Sequence, residues 1–164
     1  MARCLIIGCG CRGRLLAREL IARGRAVRGT TRDPDRLEEI GLTGAEPVLG
    51  DPDRIATLIP ALEHVSVACL LLGSAVAGPE QLGVLHGSRL GMLLGKIIDT
   101  TVRGIVYEAR GSVDSALLEH GSELVRDFCD GSLIPYVLLE ADPADRIAWL
   151  EAATAAVDRV LVRA

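Results

Sequence analysis

The chain opens with a short apolar run that leads directly into a glycine-rich segment, and this combination constrains the fold more than any other feature. Residues 4–7 are apolar, and residues 8–13 read Gly-Cys-Gly-Cys-Arg-Gly. In such a turn Gly8 permits the tight strand-to-helix reversal, Gly10 lets a pyrophosphate approach the backbone, and Gly13 lets the helix pack on the sheet. The helix amino terminus then offers unpaired N–H groups to phosphates. The pattern predicts a dinucleotide-binding turn; the alternative is a structural turn with an empty site.

Strand and helix signals alternate along the chain, which is typical of a parallel sheet covered by helices on both faces. Right-handed crossovers then predict an α/β fold, a doubly wound six-stranded parallel Rossmann sheet of order 3-2-1-4-5-6, as one domain over residues 1–164. The predicted strands are 3–7, 26–29, 47–49, 65–72, 104–107 and 134–139.

Helix starts are predicted at residue 12 and at three Asp-Pro pairs, 33–34, 51–52 and 142–143. Each pair matches an acidic N-cap followed by proline in the first helical position. The helical spacing of apolar residues predicts the buried faces. These are Gly13, Leu16, Ala17, Leu20 and Ile21 on the first helix, and Ile147, Leu150, Val157 and Leu161 on the last.

Composition excludes several classes of protein. The 164 residues are 49% hydrophobic with a net charge of −4, which suits one globular domain. The arginines are scattered along an acidic chain, so nucleic-acid binding is not expected. No apolar run approaches the roughly 18 residues of a membrane span, and the first strand begins too early for a signal peptide. A cytoplasmic protein without membrane partners is therefore expected.

The five cysteines, an odd number without the spacing of a disulfide framework, are expected to be reduced. Cys9 and Cys11 form a C-x-C in the glycine loop, but zinc would need two further ligands and no second such pair exists, so no metal is expected. The alternative for this pair is a redox-sensing dithiol at a helix amino terminus, where thiol pKa values tend to fall.

The end of the second strand bears on the choice of cofactor. An NAD site places Asp or Glu there to accept from the ribose 2′-OH, whereas this chain has Gly29-Thr30-Thr31-Arg32. The Arg32 guanidinium can pair with a 2′-phosphate, which favours NADP over NAD. The alternative is a solvated arginine beside Asp33.

These motifs resemble a known family. Residues 8–13, with Leu15-Leu16, Leu20, Gly24, Val27-Arg28 and Thr31-Arg32, are similar to the start of atypical or extended short-chain dehydrogenases/reductases, the proteins grouped with NAD-dependent epimerases and dehydratases. Val106-Tyr107 before Gly111-Ser112 resembles the fifth-strand segment of that group. The resemblance extends over about residues 1–112.

The resemblance implies a set of cofactor-binding residues. It implies that Asp51 contacts the adenine amino group, although Asp51 can instead be the N-cap of a helix. It also implies that the loop at Leu71, Leu72 and Gly73 covers the adenine and ribose. The expected cofactor site comprises Gly8, Gly10, Cys11, Arg12, Gly13, Thr31, Arg32, Asp51, Leu71, Leu72 and Gly73.

Two departures from that family leave the reaction open. Its catalytic Tyr-x-x-x-Lys is absent, because Gly111 and Glu140 stand four residues after the two tyrosines, and no substrate domain is expected beyond the six-stranded sheet of these 164 residues. Ser112, His86 and His120 can be nominated as catalytic groups, but each residue type is more often an ordinary loop or surface residue. Three hypotheses follow: an NADP-dependent oxidoreductase on a small molecule, a non-catalytic NADP(H) sensor or interaction module, and a degenerate fold without cofactor.

Glycine recurs every four residues at Gly83, Gly87, Gly91 and Gly95, before the fifth strand. On a helix this spacing gives a smooth stripe, and glycine costs up to about 1 kcal/mol per helical residue relative to alanine, so a compensating contact is expected. The stripe and its apolar neighbours predict a homodimer. The alternative places Gly83 and Gly87 in a loop, with the helix starting near residue 88.

Overall fold

Six parallel strands form one sheet in the order β3-β2-β1-β4-β5-β6, which confirms the predicted fold class and strand order. The computed structural model describes residues 2–163. The strands are β1 (Arg3–Ile7), β2 (Ala26–Thr31), β3 (Glu46–Leu49), β4 (Val67–Leu70), β5 (Ile105–Glu108) and β6 (Tyr136–Leu139).

Helices connect the strands and cover both faces of the sheet. They are α1 (Cys11–Ala22), α2 (Leu37–Gly41), α3 (Ile55–Leu58), α4 (Pro79–Val84), α5 (Leu90–Ile97), α6 (Ser115–Ser132) and α7 (Arg146–Arg163). In the part of the chain that the structure describes, no helix is both long and apolar enough to cross a membrane.

Alternation along β1 divides the core in two. Leu5 and Ile7 pack with α5 and α6 on one face, whereas Cys4 and Ile6 pack with α1 and α7 on the other. Successive strand residues point to opposite faces, so a continuous apolar strand with helices on both sides is buried on both. Every side chain from Cys4 to Ile7 is fully buried.

Two of the three Asp-Pro predictions are wrong by about three residues. Asp33 accepts from the Asp35 N–H and starts a 3₁₀ turn (Pro34–Arg36) that leads into α2, as expected. The Asp51 carboxylate instead caps a turn, and α3 begins only at Ile55. In the same way Asp142 caps a turn, and Asp145 accepts from the Ala148 N–H at the start of α7. The Asp-Pro signal marks a local turn, which either helix or loop can follow.

Two further helical features differ from the expectations. No helix is predicted between the last two strands, yet α6 runs for 18 residues and is capped by the Asp114 side chain. The buried face of α7 is centred on Trp149 and Val157, while Ile147 is 75% exposed. On α1 the predicted face is buried at Gly13, Leu16, Ala17 and Leu20, and Ile21 is partly buried.

The glycine-rich crossover is helical almost throughout, so the loop alternative is wrong. A π-helical turn (Leu85–Arg89) joins α4 to α5, with non-helical angles at Gly87. This turn separates the four glycines. Gly83 and Gly87 face α6, near Leu117 and His120, whereas Gly91 and Gly95 are exposed.

Candidate functional site

A cavity of about 450 Å³ opens at the carboxyl edge of the sheet, where β1 lies between β2 and β4. The chain winds to one side of β1 through β2 and β3, and to the other side through β4, β5 and β6. Ligands of open α/β sheets bind at such a switch point. Three segments form most of the wall: the glycine loop after β1, the residues at the end of β2, and the loop after β4.

The glycine loop has the geometry expected from its sequence. Gly8 has φ +80°, and a Cβ there would lie 2.6 Å from the Leu71 carbonyl oxygen. Gly10 is exposed to the cavity, and no atom lies within 4 Å of the position a Cβ would take. A Cβ on Gly13 would lie 3.3 Å from the Ile6 side chain, so glycine lets α1 pack more closely on the sheet than a larger residue would. Gly10 therefore leaves an open cradle beside the amino end of α1.

The end of β2 brings two arginines and one carboxylate to the cavity. Thr31 and Arg32 line the wall, and the Arg32 Nη2 donates to the Val76 carbonyl across the mouth at 3.1 Å. Arg36 and Asp33 also line it. Because β2 is two residues longer than expected, Asp33 lies close to the strand end, where its carboxylate is within 3.9 Å of Arg36.

The segments after β3 and β4 place the remaining predicted residues. Leu71 and Leu72 line the cavity, but Gly73 lies behind the wall, where its N–H is bonded to Glu108. Asp51 also lies outside the wall and caps the turn that precedes α3, so the expectation that it caps a helix is wrong. Its neighbours at residues 50, 52 and 53 line the cavity instead.

The two loop cysteines lie in different environments. Cys11 is exposed in the cavity wall, with the Arg146 guanidinium 3.6 Å from its sulfur. Cys9 is buried against Gly29, and burial raises the pKa of its thiol to about 11. A raised pKa is the opposite of what a redox-sensing dithiol needs. All five cysteines are unpaired, as expected.

Glu108, at the end of β5, is the main site residue that the sequence did not indicate. Its carboxylate is 1% exposed yet reaches the cavity wall. Arg12, Gly73 and Trp149 all donate to it. A Cβ on Gly73 would lie 2.8 Å from the Glu108 side chain, so glycine is required where the two strand ends meet.

The nominated catalytic groups do not converge on the cavity. Ser112 and His120 are exposed and lie outside its wall, and His86 is buried. The two tyrosines are also outside the wall of the described cavity: Tyr107 is 1% exposed, and Tyr136 begins β6. Lys96 lies near the end of α5, which leads into the start of β5 at the opposite edge of the sheet.

His86 and Tyr107 form a buried polar pair behind the cavity. The His86 Nδ1 lies 2.7 Å from the Tyr107 hydroxyl, and its Nε2 lies 3.0 Å from the Leu72 carbonyl oxygen. A carbonyl only accepts, so Nε2 carries the proton and the tyrosine hydroxyl donates to Nδ1. Burial lowers the pKa of His86 below its ordinary value of 6.5 and raises that of Tyr107.

This pair predicts a loss of stability in acid. Between pH 6.5 and the lower folded pKa of His86, the unfolded chain binds the proton more readily than the folded chain. The contribution of neutral His86 to the free energy of unfolding is complete above pH 6.5, and it falls by at most about 1.4 kcal/mol per pH unit as the pH drops. The free energy of unfolding of the unmodified chain and of His86→Gln is measured by chemical unfolding from pH 7 to pH 4.5. It should fall less steeply with decreasing pH in the variant. Equal slopes for the two chains would contradict the assignment of the acid sensitivity to His86.

Comparison with known proteins gives matches in fold alone. No known family model and no curated protein matches the sequence. A short-chain dehydrogenase/reductase superfamily protein from Agrobacterium tumefaciens, solved with bound NAD, is 22% identical with a TM-score of 0.70, covering 84% of this chain and 48% of that one. Citrobacter sp. triphenylmethane reductase complexed with NADP(H) is 20% identical with a TM-score of 0.66, covering 84% and 48%.

Vestitone reductase from alfalfa (Medicago sativa) is a third match, 15% identical with a TM-score of 0.65, covering 84% of this chain and 56% of that one. The chain thus spans about half the length of these structures. The predicted likeness to short-chain dehydrogenases/reductases is confirmed in its fold.

Proposed function

We propose that the chain binds NADP(H) in the cavity at the switch point of the sheet. The observation that carries this proposal is the open cradle at Gly10 beside the amino terminus of α1, in a cavity of about 450 Å³. Helix N–H groups and the positive end of the dipole favour phosphates at this place. Solved proteins of the same fold have been crystallised with NAD or NADP(H), which supports a nicotinamide dinucleotide.

The residues around the cavity fit the parts of such a ligand. The backbone of residues 8–13 would hold the pyrophosphate, while Leu71 and Leu72 offer an apolar wall for the adenine and ribose. An acidic contact to the adenine amino group would come from the turn at residues 51–53, where Asp53 lines the cavity. When bound, the nicotinamide group supplies hydride chemistry.

NADP is proposed over NAD because arginine dominates the wall at the end of β2. Arg32 and Arg36 both line the cavity, and a guanidinium can form two parallel hydrogen bonds to a phosphate. Asp33 is the one carboxylate at this end of the wall in the described chain, and it already accepts from the Asp35 N–H at 2.9 Å.

A non-catalytic sensor or interaction module is the second candidate function. The observation that favours it is the position of the tyrosines. Tyr107 donates to buried His86 instead of reaching the cavity, and Lys96 lies at the other edge of the sheet. Short-chain dehydrogenase chemistry exchanges a proton through a tyrosine and a neighbouring lysine, so an oxidoreductase of this architecture would need a different proton donor.

A thermal-shift panel tests the proposed ligand. A ligand present at 100 times its Kd stabilises a protein by about 2.7 kcal/mol, which raises Tm by roughly 5–10 °C for a chain of this size. NADPH should produce the largest shift, NADH a smaller one, and ATP at the same concentration little change. Equal shifts from all three would indicate nonspecific anion binding and contradict the proposal.

We also propose that the chain forms a homodimer through α5. Leu93 and Ile97 are buried against the sheet, while the opposite side exposes Gly91, Gly95 and half of the Met92 side chain. Nothing lies within 4 Å of a Cβ on either glycine, so a second helix can approach closely. A two-fold partner would present the same surface.

Gly91→Leu should therefore separate the subunits while leaving the monomer folded, because the added side chain projects into open space. Sedimentation velocity at micromolar concentration measures this directly. Gly131→Leu, at an exposed glycine of α6 with equally open surroundings, is the matched control and should keep the dimer. A monomeric unmodified chain would overturn the proposal.

A further inference from the structure

Glu108 is a fixed negative charge in the cavity wall whose acceptor sites are all used. Its carboxylate accepts from the Gly73 N–H at 2.9 Å, from Trp149 Nε1 at 3.2 Å, and from Arg12 Nη2 at 3.4 Å to Oε1 and 3.2 Å to Oε2. A carboxylate has about four lone-pair sites. These four contacts therefore leave Glu108 no acceptor for a sugar hydroxyl and no free site to act as a base.

Arg12, in contrast, has donors to spare. It contacts Glu108 through Nη2, and its Nε is buried without a hydrogen-bond partner in the described chain. Its side chain is 25% exposed and lines the cavity between Gly10 and Gly13. The guanidinium lies 5.5 Å from the centre of the Trp149 ring, and Trp149 is itself fully buried. A guanidinium has five N–H donors, so this fixed group can serve a second anion.

The neighbouring charges determine how Arg12 would bind a second anion. A pyrophosphate beside Glu108 would be repelled by the carboxylate unless a positive charge lies between them. Arg12 cannot leave Glu108 for the phosphates, because that would leave a buried carboxylate without its counter-charge. The guanidinium therefore has to contact both anions at once, which its five N–H donors allow in a fixed planar geometry, whereas a lysine ammonium has only three donors on a flexible stem.

We infer that Arg12 bridges the Glu108 carboxylate and a pyrophosphate group held in the cavity, with Glu108 and Trp149 as positioning residues for its guanidinium. The inference rests on the proposed function only in assigning the pyrophosphate to a dinucleotide. The bridge itself requires an anion of this kind and no nicotinamide.

Two probes and a double-variant set test the bridge. Inorganic pyrophosphate is followed by the fluorescence of Trp149, the single tryptophan of the chain, and NADPH by calorimetry. Arg12→Leu should weaken both ligands about 10- to 150-fold, the range of a charge-assisted contact, because it removes a donor and unmasks the carboxylate. Adding Glu108→Gln should recover at least about fivefold, since the repulsion then disappears.

Two controls accompany this set. Glu46→Gln breaks an Arg28–Glu46 pair of 2.9 Å away from the cavity and should leave both affinities unchanged. Adenosine 2′-monophosphate, which has no 5′-phosphates, should bind every variant equally. Arg12→Leu leaves a buried carboxylate without its counter-charge and can destabilise the fold, so the Tm of this variant is measured alongside. Arg12→Lys is the backup variant: it keeps a charge beside Glu108 but should still bind both probes about 10-fold more weakly.

Each outcome separates the bridge from the proposed function. Unchanged affinity in folded Arg12→Leu or in Arg12→Lys overturns the bridge, as does a double variant no tighter than Arg12→Leu. If pyrophosphate follows the expected pattern while NADPH fails to bind the unmodified chain, the bridge stands and the proposed function falls. If NADPH binds and is indifferent to Arg12, the proposed function stands and the bridge falls.

Discussion

Gly10→Val is expected to abolish NADPH binding while leaving the fold intact. The valine side chain would project into the open cradle where the phosphates are proposed to lie, because no protein atom is within 4 Å of a Cβ there. Gly10 has φ −83°, which any L residue can adopt, and it is exposed, so the substitution introduces neither backbone strain nor a core clash. Affinity should fall by at least about 100-fold, close to 3 kcal/mol.

Calorimetric titration with NADPH measures this effect, and circular dichroism checks the fold. Gly131→Val is the matched control, an exposed helical glycine that is remote from the cavity wall and has equally open surroundings. The control should bind NADPH as the unmodified chain does. Wild-type affinity in Gly10→Val would remove the basis for placing phosphates at the glycine loop.

Arg32→Ala is expected to erase a preference for NADPH over NADH. If the guanidinium pairs with the 2′-phosphate, the contact should be worth about 1.5–3 kcal/mol, or roughly 10- to 150-fold in affinity. In the ligand-free chain this group donates to the Val76 carbonyl across the cavity mouth. NADH, which lacks the phosphate, should bind the variant and the unmodified chain equally.

The affinities of both dinucleotides are measured for the unmodified chain, Arg32→Ala, and Arg18→Ala as an exposed arginine outside the cavity wall. Arg36→Ala reports whether the second arginine shares the phosphate. Equal affinities of NADPH and NADH for the unmodified chain would overturn the NADP assignment and favour a role for Asp33 at the ribose.

Local signals predicted the strands and the glycine loop, because both depend on a few adjacent residues. Cys4–Ile7 is apolar throughout, as a strand buried on both faces requires. Local signals were less decisive where the same residues are compatible with two kinds of local structure. Asp51-Pro52 and Asp142-Pro143 cap turns as readily as helices, so the starts of α3 and α7 could not be placed from these pairs.

The part of the site that the sequence missed depends on contacts between distant residues. Arg12 and Glu108 are 96 positions apart, and Trp149 lies 41 positions beyond Glu108. A single glutamate at the end of an apolar strand gives no sign that donors from two helices and one loop will surround it. Arg36 was missed for a different reason: it is the last residue of a 3₁₀ turn, whose geometry returns it to the cavity that Arg32 lines.

Calorimetric titration of the unmodified chain with NADPH is the most direct test of whether the cavity at the glycine loop binds a nicotinamide dinucleotide. We expect saturable binding of one NADPH per chain at micromolar concentrations, competed by NADP⁺ and not by an equal concentration of ATP. Absence of binding up to millimolar NADPH, in a sample whose fold is verified by circular dichroism, would contradict it.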